Sequence, residues 1–285
     1  GSVSSGPFSL DVGGLVGDMY VSNITDAYAT GRVSGGQYSD SFGGLVGSMS
    51  TSTIRNAYAT GSVSSGSSSE MVGGLVGDAF ESNITNTYAT GSVSSGPSSE
   101  SVGGLVGDMF RSNITNAYAS GSVSVGQSSS RIGGLVGDVF ETNITNGLFD
   151  ADSTGQTIGV GFAGSQGGVV TLRSFTETIN AYSQASYGTK SGGVWTGFDF
   201  DNDWFMIEGH TRPFLRIDHV QTIKNANQLQ LMALDVNADY SLANDIDFKA
   251  ARSNPGSVWR GSFSDGVFQA SFSPIGDVTN PYTGT

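Results

Sequence analysis

The sequence predicts an all-β fold, a right-handed parallel β-helix (β-solenoid) with 30-residue coils, and three observations carry that prediction. The pentapeptide Gly-Gly-Leu-Val-Gly begins at Gly13, Gly43, Gly73, Gly103 and Gly133, a spacing of 30 residues each time. Short runs of Val, Ile, Thr, Tyr and Ser are punctuated by Gly, Asn and Asp, which is strand-and-turn chemistry. With 43 glycines and 13% charged residues, no window sets apolar residues at i, i+3, i+4 and i+7 among helix formers. A unit this short cannot bury its apolar face alone, whereas units stacked in register pair each strand with its copies above and below. The right hand follows from the crossover rule for parallel strands. Turns ~4.8 Å apart make the stack of units rise roughly 24 Å.

Each unit offers three strand segments. The first, V-G-G-L-V-G, supplies the invariant column Leu15, Leu45, Leu75, Leu105 and Leu135 and the apolar column Val12, Phe42, Val72, Val102 and Ile132. The second, S-N-I-T-N-A-Y-A-T, supplies Ile24, Ile54, Ile84, Ile114 and Ile144, which with the leucines form the expected structural ladder. The third, G-S-V-S, adds Val3, Val33, Val63, Val93 and Val123, with the small Ala29, Ala59, Ala89 and Ala119 on a narrow inner face beside them. Strict alternation then sends Tyr28, Tyr58, Tyr88 and Tyr118 outward as an aromatic stack, unless a corner at residue 26 reverses the parity. Asn23, Asn83, Asn113 and Asn143, interrupted by Thr53, form a polar column whose amides can bond along the solenoid axis. The same N-I-T triplets fit the N-glycosylation pattern, but a repeated turn accounts for the Asn without a sugar. Variation between units concentrates at 94–101 and its counterparts, the expected exposed lobe of each coil.

The repeated glycines resist a nucleotide-binding reading, because a phosphate loop needs Lys and Ser or Thr after its last Gly, and Asp18, Asp78, Asp108 and Asp138 stand there instead. A calcium-binding β-roll cycles every nine residues, a period this chain does not have. Tight corners and close approach of neighbouring coils explain the glycines. The aspartates form a column interrupted by Ser48. Neighbouring charges ~4.8 Å apart repel by roughly 1 kcal/mol in water, a tolerable cost if they face solvent, with a bridging cation as the alternative.

The period stops after Asp150, which divides the chain into five repeats over 1–150, an irregular solenoid continuation over 151–217, and the start of a further β-helical section over 218–285. Asp150, Asp152 and Thr154 with Gly155 imitate the first half of a calcium-binding EF-hand loop, yet Gly161 occupies the position that needs an acid. The cluster F-D-F-D-N-D-W-F sets Asp199, Asp201 and Asp203 near Glu208 and His210, a second candidate for calcium or acid–base chemistry. In both places an Asp-rich turn is the simpler reading. Helix formers with plausible caps predict a short helix over Asn225–Ala233.

The net charge of −13, with 12 basic residues scattered singly, argues against nucleic acid and against anionic lipid. Zero cysteines exclude a disulfide scaffold and thiolate metal sites. No apolar run is long enough for a membrane-spanning helix, and no stretch of these residues reads as a signal peptide. The first residue is not Met and lies inside a repeat, which reads as a segment of a longer protein. Catalytic signatures are missing: there is no H-E-x-x-H, no G-x-S-x-G and no Cys nucleophile, and the only histidines are His210 and His219. Paired carboxylates from distant coils keep a polysaccharide-degrading β-helix open as an enzyme alternative. An ice-binding surface would need a second threonine column beside Thr25, Thr85 and Thr115.

The pattern G-G-L-V-G-x(6)-I-x-N-x-Y-A-T-G-x-V at 73–93 resembles the GLUG repeat of large bacterial surface proteins, notably filamentous-haemagglutinin-like adhesins of two-partner secretion and certain streptococcal immunoglobulin A peptidases. The segments at 149–156, 204–216 and 229–277 resemble, in that order, the stretches downstream of such repeats in the adhesins; the adhesins continue past P-I-G, where this chain stops at P-Y-T-G-T. The resemblance implies a secreted, fibre-like protein at the bacterial surface, carried out by an outer-membrane transporter partner, with an unidentified glycan or protein ligand. It carries over no catalytic residue. The expectation is a non-enzymatic adhesive or biofilm segment without a required cofactor; the alternative is the non-catalytic β-helical part of a surface peptidase.

Overall fold

The computed structural model describes residues 1–164, 170–175, 180–264, 267–276 and 282–284. The close of the F-S-P-I-G-D segment at Asp277, and Pro281 and Thr285 of the final P-Y-T-G-T, lie outside the described residues. Contacts divide the chain into Gly1–Asn180 and Ala181–Thr285.

In the first unit every strand pairs in parallel with its copy one repeat away, and the pairs assemble into four sheets. Sheet A stacks Val3–Ser4, Val33–Ser34, Val63–Ser64, Val93–Ser95 and Val123–Val125. Sheet B stacks Val12–Gly13, Phe42–Gly43, Val72–Gly73, Glu100–Gly103 and Ser130–Gly133. Sheet C stacks Val16–Tyr20, Val46–Ser50, Val76–Phe80, Val106–Phe110 and Val136–Phe140, and sheet D stacks Asn23–Ala29, Thr53–Ala59, Asn83–Ala89, Asn113–Ala119 and Asn143–Asp150. The protein is thus a β-solenoid of about five turns with 30 residues per coil. Past residue 150 the period is lost but the pairing goes on. Val160–Ala163 adds to sheet C with Val160 on Val136, and Val170–Phe175 adds to sheet D after a register shift.

One difference from the expected three strands per turn is that V-G-G-L-V-G is broken in its middle. Gly74 and Leu75 form a bend between sheets B and C, so each turn has four strands. The bend keeps its backbone satisfied by bonding to the next turn: Leu45 N–H donates to Leu75 O at 2.9 Å, and Leu75 N–H to Leu105 O at 2.8 Å. Glycine is required here by proximity. A Cβ on Gly44 would stand 2.2 Å from the carbonyl oxygen of Gly74.

The left-handed backbone at the other corners is taken by residues other than glycine. Four columns, headed by Phe8, Asp11, Val21 and Asp26, hold positive φ in all five turns. In the last of them Asn56, Asn86, Asn116 and Asn146 follow Asp26, the residue types that tolerate this region best. That inversion falls inside sheet D and changes its alternation. Ile54 and Ala57 both join the core, three residues apart.

Two apolar clusters fill the turns. The larger joins sheets C and D through Leu45, Leu75, Leu105 and Leu135, the isoleucines 54, 84, 114 and 144, and smaller residues such as Ala59 and Ala89; the other joins the valines of sheet A to Phe42, Val72 and Val102 of sheet B. The ladder residues of turns two to five are fully buried, whereas in the first turn Leu15 stands 52% exposed and Ile24 is half-buried.

The tyrosines correct the expected outward stack. Tyr58, Tyr88 and Tyr118 do stack, with centroids 4.8–5.1 Å apart and planes within 3°. Yet they are at most 2% exposed and lie outside the cluster that holds Ala57 and Ala59 on either side in sequence. Alternation gives their side of the strand correctly, and that side is itself covered. The 94–101 lobe is mixed for the same reason: Pro97 and Ser98 are exposed, whereas Ser99 is fully buried and its Oγ accepts from Ser69 N–H at 3.3 Å.

In the second unit, four two-stranded pairs are described. Gly188–Ser191 with Val194–Gly197, Trp204–Phe205 with Phe214–Leu215, and Gly261–Ser264 with Val267–Ala270 are antiparallel, and Thr222–Ile223 with Ser241–Leu242 is parallel. Phe198, Trp204 and Phe214 are fully buried. The expected helix spans Ala226–Leu231, capped by Asn225, whose Oδ1 accepts from Gln228 N–H at 2.9 Å, and runs on into a 3₁₀ turn at Met232–Leu234.

Candidate functional surfaces

Repetition turns single side chains into columns, and four polar or aromatic columns reach the surface of the solenoid. On sheet D, Asn113 Nδ2 donates to Asn83 Oδ1 at 2.9 Å and Asn143 Nδ2 to Asn113 Oδ1 at 3.0 Å. A second amide ladder, which alternation hides, runs through the left-handed corner: Asn56 to Asp26 at 3.0 Å, Asn86 to Asn56 at 3.3 Å, Asn116 to Asn86 at 3.4 Å, and Asn146 to Asn116 at 2.9 Å. Its signal in the sequence is the unbroken run of Asp or Asn at that position.

Sheet C ends in an aromatic column that sequence reasoning missed. Phe80, Phe110 and Phe140 stack with centroids 5.2 and 5.3 Å apart, partly open to solvent. Arg111 lies over the Phe110 ring and bridges Glu141 at 2.6 Å and Glu81 at 3.7 Å. Tyr20 and Ser50 occupy the same register position in the first two turns. Since ring faces are spent on one another, the column offers edges rather than platforms.

The acidic column also lies on sheet C, with Asp78 opposite Asp108 and Asp108 opposite Asp138. It does not meet the condition for a small repulsive cost, which is to face solvent freely. Asp78 and Asp108 are half-buried and Asp138 is 8% exposed, because the left-handed corner seven residues earlier lies against them. Ser101 Oγ donates to Asp108 Oδ2 at 3.4 Å, and Arg131 Nη1 pairs with Asp138 Oδ2 at 2.8 Å. Burial and the neighbouring Asp108 push Asp78 up to about 7; burial and Asp138 push Asp108 up to about 6. Asp138 is raised too, by burial, with the Arg131 partner opposing it.

The candidate calcium ligands serve as turn and cap groups. Asp150 is buried, and its Oδ1 accepts from the N–H groups of Asp152 and Ser153, capping the short helix Ala151–Thr154. Asp152 is exposed in its first turn. Asp199 accepts from Asp201 N–H, Asn202 N–H and Asn202 Nδ2. Burial alone would raise Asp199, but these bonds outweigh it and hold the carboxyl below its usual range. Asp201 pairs with Lys190, and Asp203 enters the turn through its backbone, its N–H bonding Asp199 O and its carbonyl taking Arg216 N–H. Glu208 accepts from Gln184 N–H at 2.9 Å. Among the described residues no group of three or more His, Asp and Glu side chains is arranged to hold a metal ion.

His210 lines an open groove of about 430 Å³ with Arg260, Phe272 and Ser273, while His219 Nε2 lies 2.7 Å from Tyr240 Oη and is pushed down by burial. Among the described residues no helix is long and apolar enough to cross a membrane.

Comparison with known proteins places these columns. No curated protein and no solved structure matches the chain. The model of the GLUG motif matches residues 39–64, 68–94 and 98–124, less than a third of the chain. Each matched segment contains one strand from each of sheets B, C, D and A, in that order, so one motif is one turn. GLUG repeats are β-helical repeats of bacterial proteins, extracellular ones among them, and three turns of this solenoid are GLUG repeats.

Proposed function

We propose that this chain is a non-catalytic segment of a secreted bacterial surface protein, which spaces and presents adhesive surface for attachment or biofilm contact. The observation that carries the reading is the 30-residue register held through five turns, with every strand paired to its copy. Such a stack adds length at ~4.8 Å per turn and needs no chemistry in the repeated residues. The resemblance to two-partner adhesins supports export through an outer-membrane transporter. The columns on sheets C and D are the surfaces offered to a glycan or protein ligand; the scattered cations do not suit nucleic acid.

The test is attachment by a bacterium displaying the chain. Strains carrying the intact chain, and strains in which residues 1–150 are replaced by an unrelated spacer of equal reach, are compared on glycan- and matrix-coated surfaces and in biofilm assays. Weaker attachment by the replaced strain is expected. Equal attachment removes the adhesive role, and turnover of any polysaccharide in a panel by the purified chain removes the non-catalytic one.

A further inference from the structure

The partners of the acidic column are graded from one end to the other. In each turn the left-handed corner lies seven residues before the column. It presents Arg131 to Asp138 and Ser101 to Asp108, whereas before Asp78 the same position is Met71, which has no proton to donate. Around these three carboxylates stand Asp11, Asp40 and Glu100, with Asp18 beside Asp11 and Glu70 beside Asp40 and Glu100; Arg131 is the cation among them. Asp40 Oδ1 is buried with no hydrogen-bond partner.

We infer that protons serve as the counter-charge of this column, so that the solenoid is firmer in mildly acidic surroundings than in alkaline ones. Two in-register carboxylates on adjacent parallel strands, half-buried and with one arginine at the far end, are relieved when one proton sits between them. Their titration agrees. In the unfolded chain an aspartate ionises near its ordinary value of 3.8, but in the fold Asp78 ionises at about 7 and Asp108 at about 6. Between those limits the folded chain holds protons that the unfolded chain has released, so stability falls as pH rises. The contribution is complete below about 4 and is lost as pH climbs through about 6 to 7. Asp11, Asp40 and Glu70 are raised by burial and add to the same slope.

The experiment is thermal unfolding of the intact chain from pH 4.5 to 8.5, with hydrogen exchange of sheet C peptides assigning the transition to the solenoid. The parent should melt at least ~5 °C higher at pH 5 than at pH 8. Met71→Arg supplies Asp78 with the partner that Arg131 gives Asp138, and Asp78→Asn removes the charge; each should raise melting at pH 8 and flatten the pH dependence. A parent whose stability is flat or rises with pH overturns the inference, as do variants that keep the full slope. If a variant fails to fold, carbon NMR of the parent's aspartate carboxyls decides, and a midpoint near 4 at Asp78 and Asp108 overturns it. Calcium chloride that raises melting at pH 8 well beyond equal ionic strength of sodium chloride also overturns it, by making a cation the counter-charge.

Discussion

The solenoid and the Ala181–Thr285 unit bury their largest side chains by opposite rules. In the solenoid like stacks on like: Tyr58, Tyr88 and Tyr118 lie ring on ring, and Leu45, Leu75 and Leu105 occupy one column. In the second unit unlike residues interlock. Phe198 stacks on Trp204, and the buried Arg212 lies over Tyr182 while its Nη1 donates to the carbonyls of Ser257 and Pro255. A column repeats one local solution, so each side chain depends on two identical neighbours. An interlocked core has no such redundancy, and each contact is solved once.

The comparison breaks most visibly at Leu105→Asp, which places an unpaired charge in the apolar column at a cost above ~4 kcal/mol. Hydrogen exchange should show sheets C and D opening together in the turns on either side, while the second unit keeps its protection; a variant that melts like the parent would remove Leu105 from the core. Gly104→Ala comes next, at about 3 kcal/mol, because its Cβ would lie 2.2 Å from Gly134 O. Its opening should begin at the B–C bend and spread along the stack. Arg212→Met should cost roughly 2–3 kcal/mol by leaving two carbonyls short of a donor. Tryptophan emission isolates that effect, since Trp195, Trp204 and Trp259 all belong to the second unit. An exposed amide is worth less: Asn113→Ala removes bonds to Asn83 and Asn143 for about 1 kcal/mol. Thr51→Asn runs the other way. It relieves a β-branched residue at φ 50° and should gain about 1 kcal/mol, raising the melting temperature by a few degrees.

Much of the solenoid is legible in the sequence because period fixes register before any side chain is weighed. The leucine and isoleucine columns follow from spacing alone, as does the amide ladder at Asn83, Asn113 and Asn143. Spacing says nothing about the far side of a turn, and there it misleads. Alternation sends the tyrosines to solvent because a single strand cannot reveal that its outer side is covered, and a column of aspartates gives no sign that the corner seven residues earlier lies against it. Nor can the left-handed corners be read where Phe8, Val21 and Met71 occupy them, since these residues give no hint of positive φ; only the Asp26 and Asn56 column does. Past residue 150 there is no period to read, and the division between Asn180 and Ala181 leaves no mark in composition. The calcium candidates illustrate a different limit: Asp150 and Asp199 are attractive as ligands for the reason that makes them good caps, a carboxylate aimed at nearby N–H groups.

The second turn departs from its neighbours in four columns. Ser48 interrupts the aspartates, Ser50 the aromatics, Thr53 the Asn83 ladder and Arg55 the threonines. A chain made of near-identical sentences risks joining the wrong pair while it folds, slipping by one whole turn and finding nearly the same contacts. The departures make the registers unequal: a first turn slipped onto the third would set Asp18 on Asp78 and Tyr20 on Phe80, where the native register sets both on serine. The irregularities would then tell the growing stack which turn it has reached.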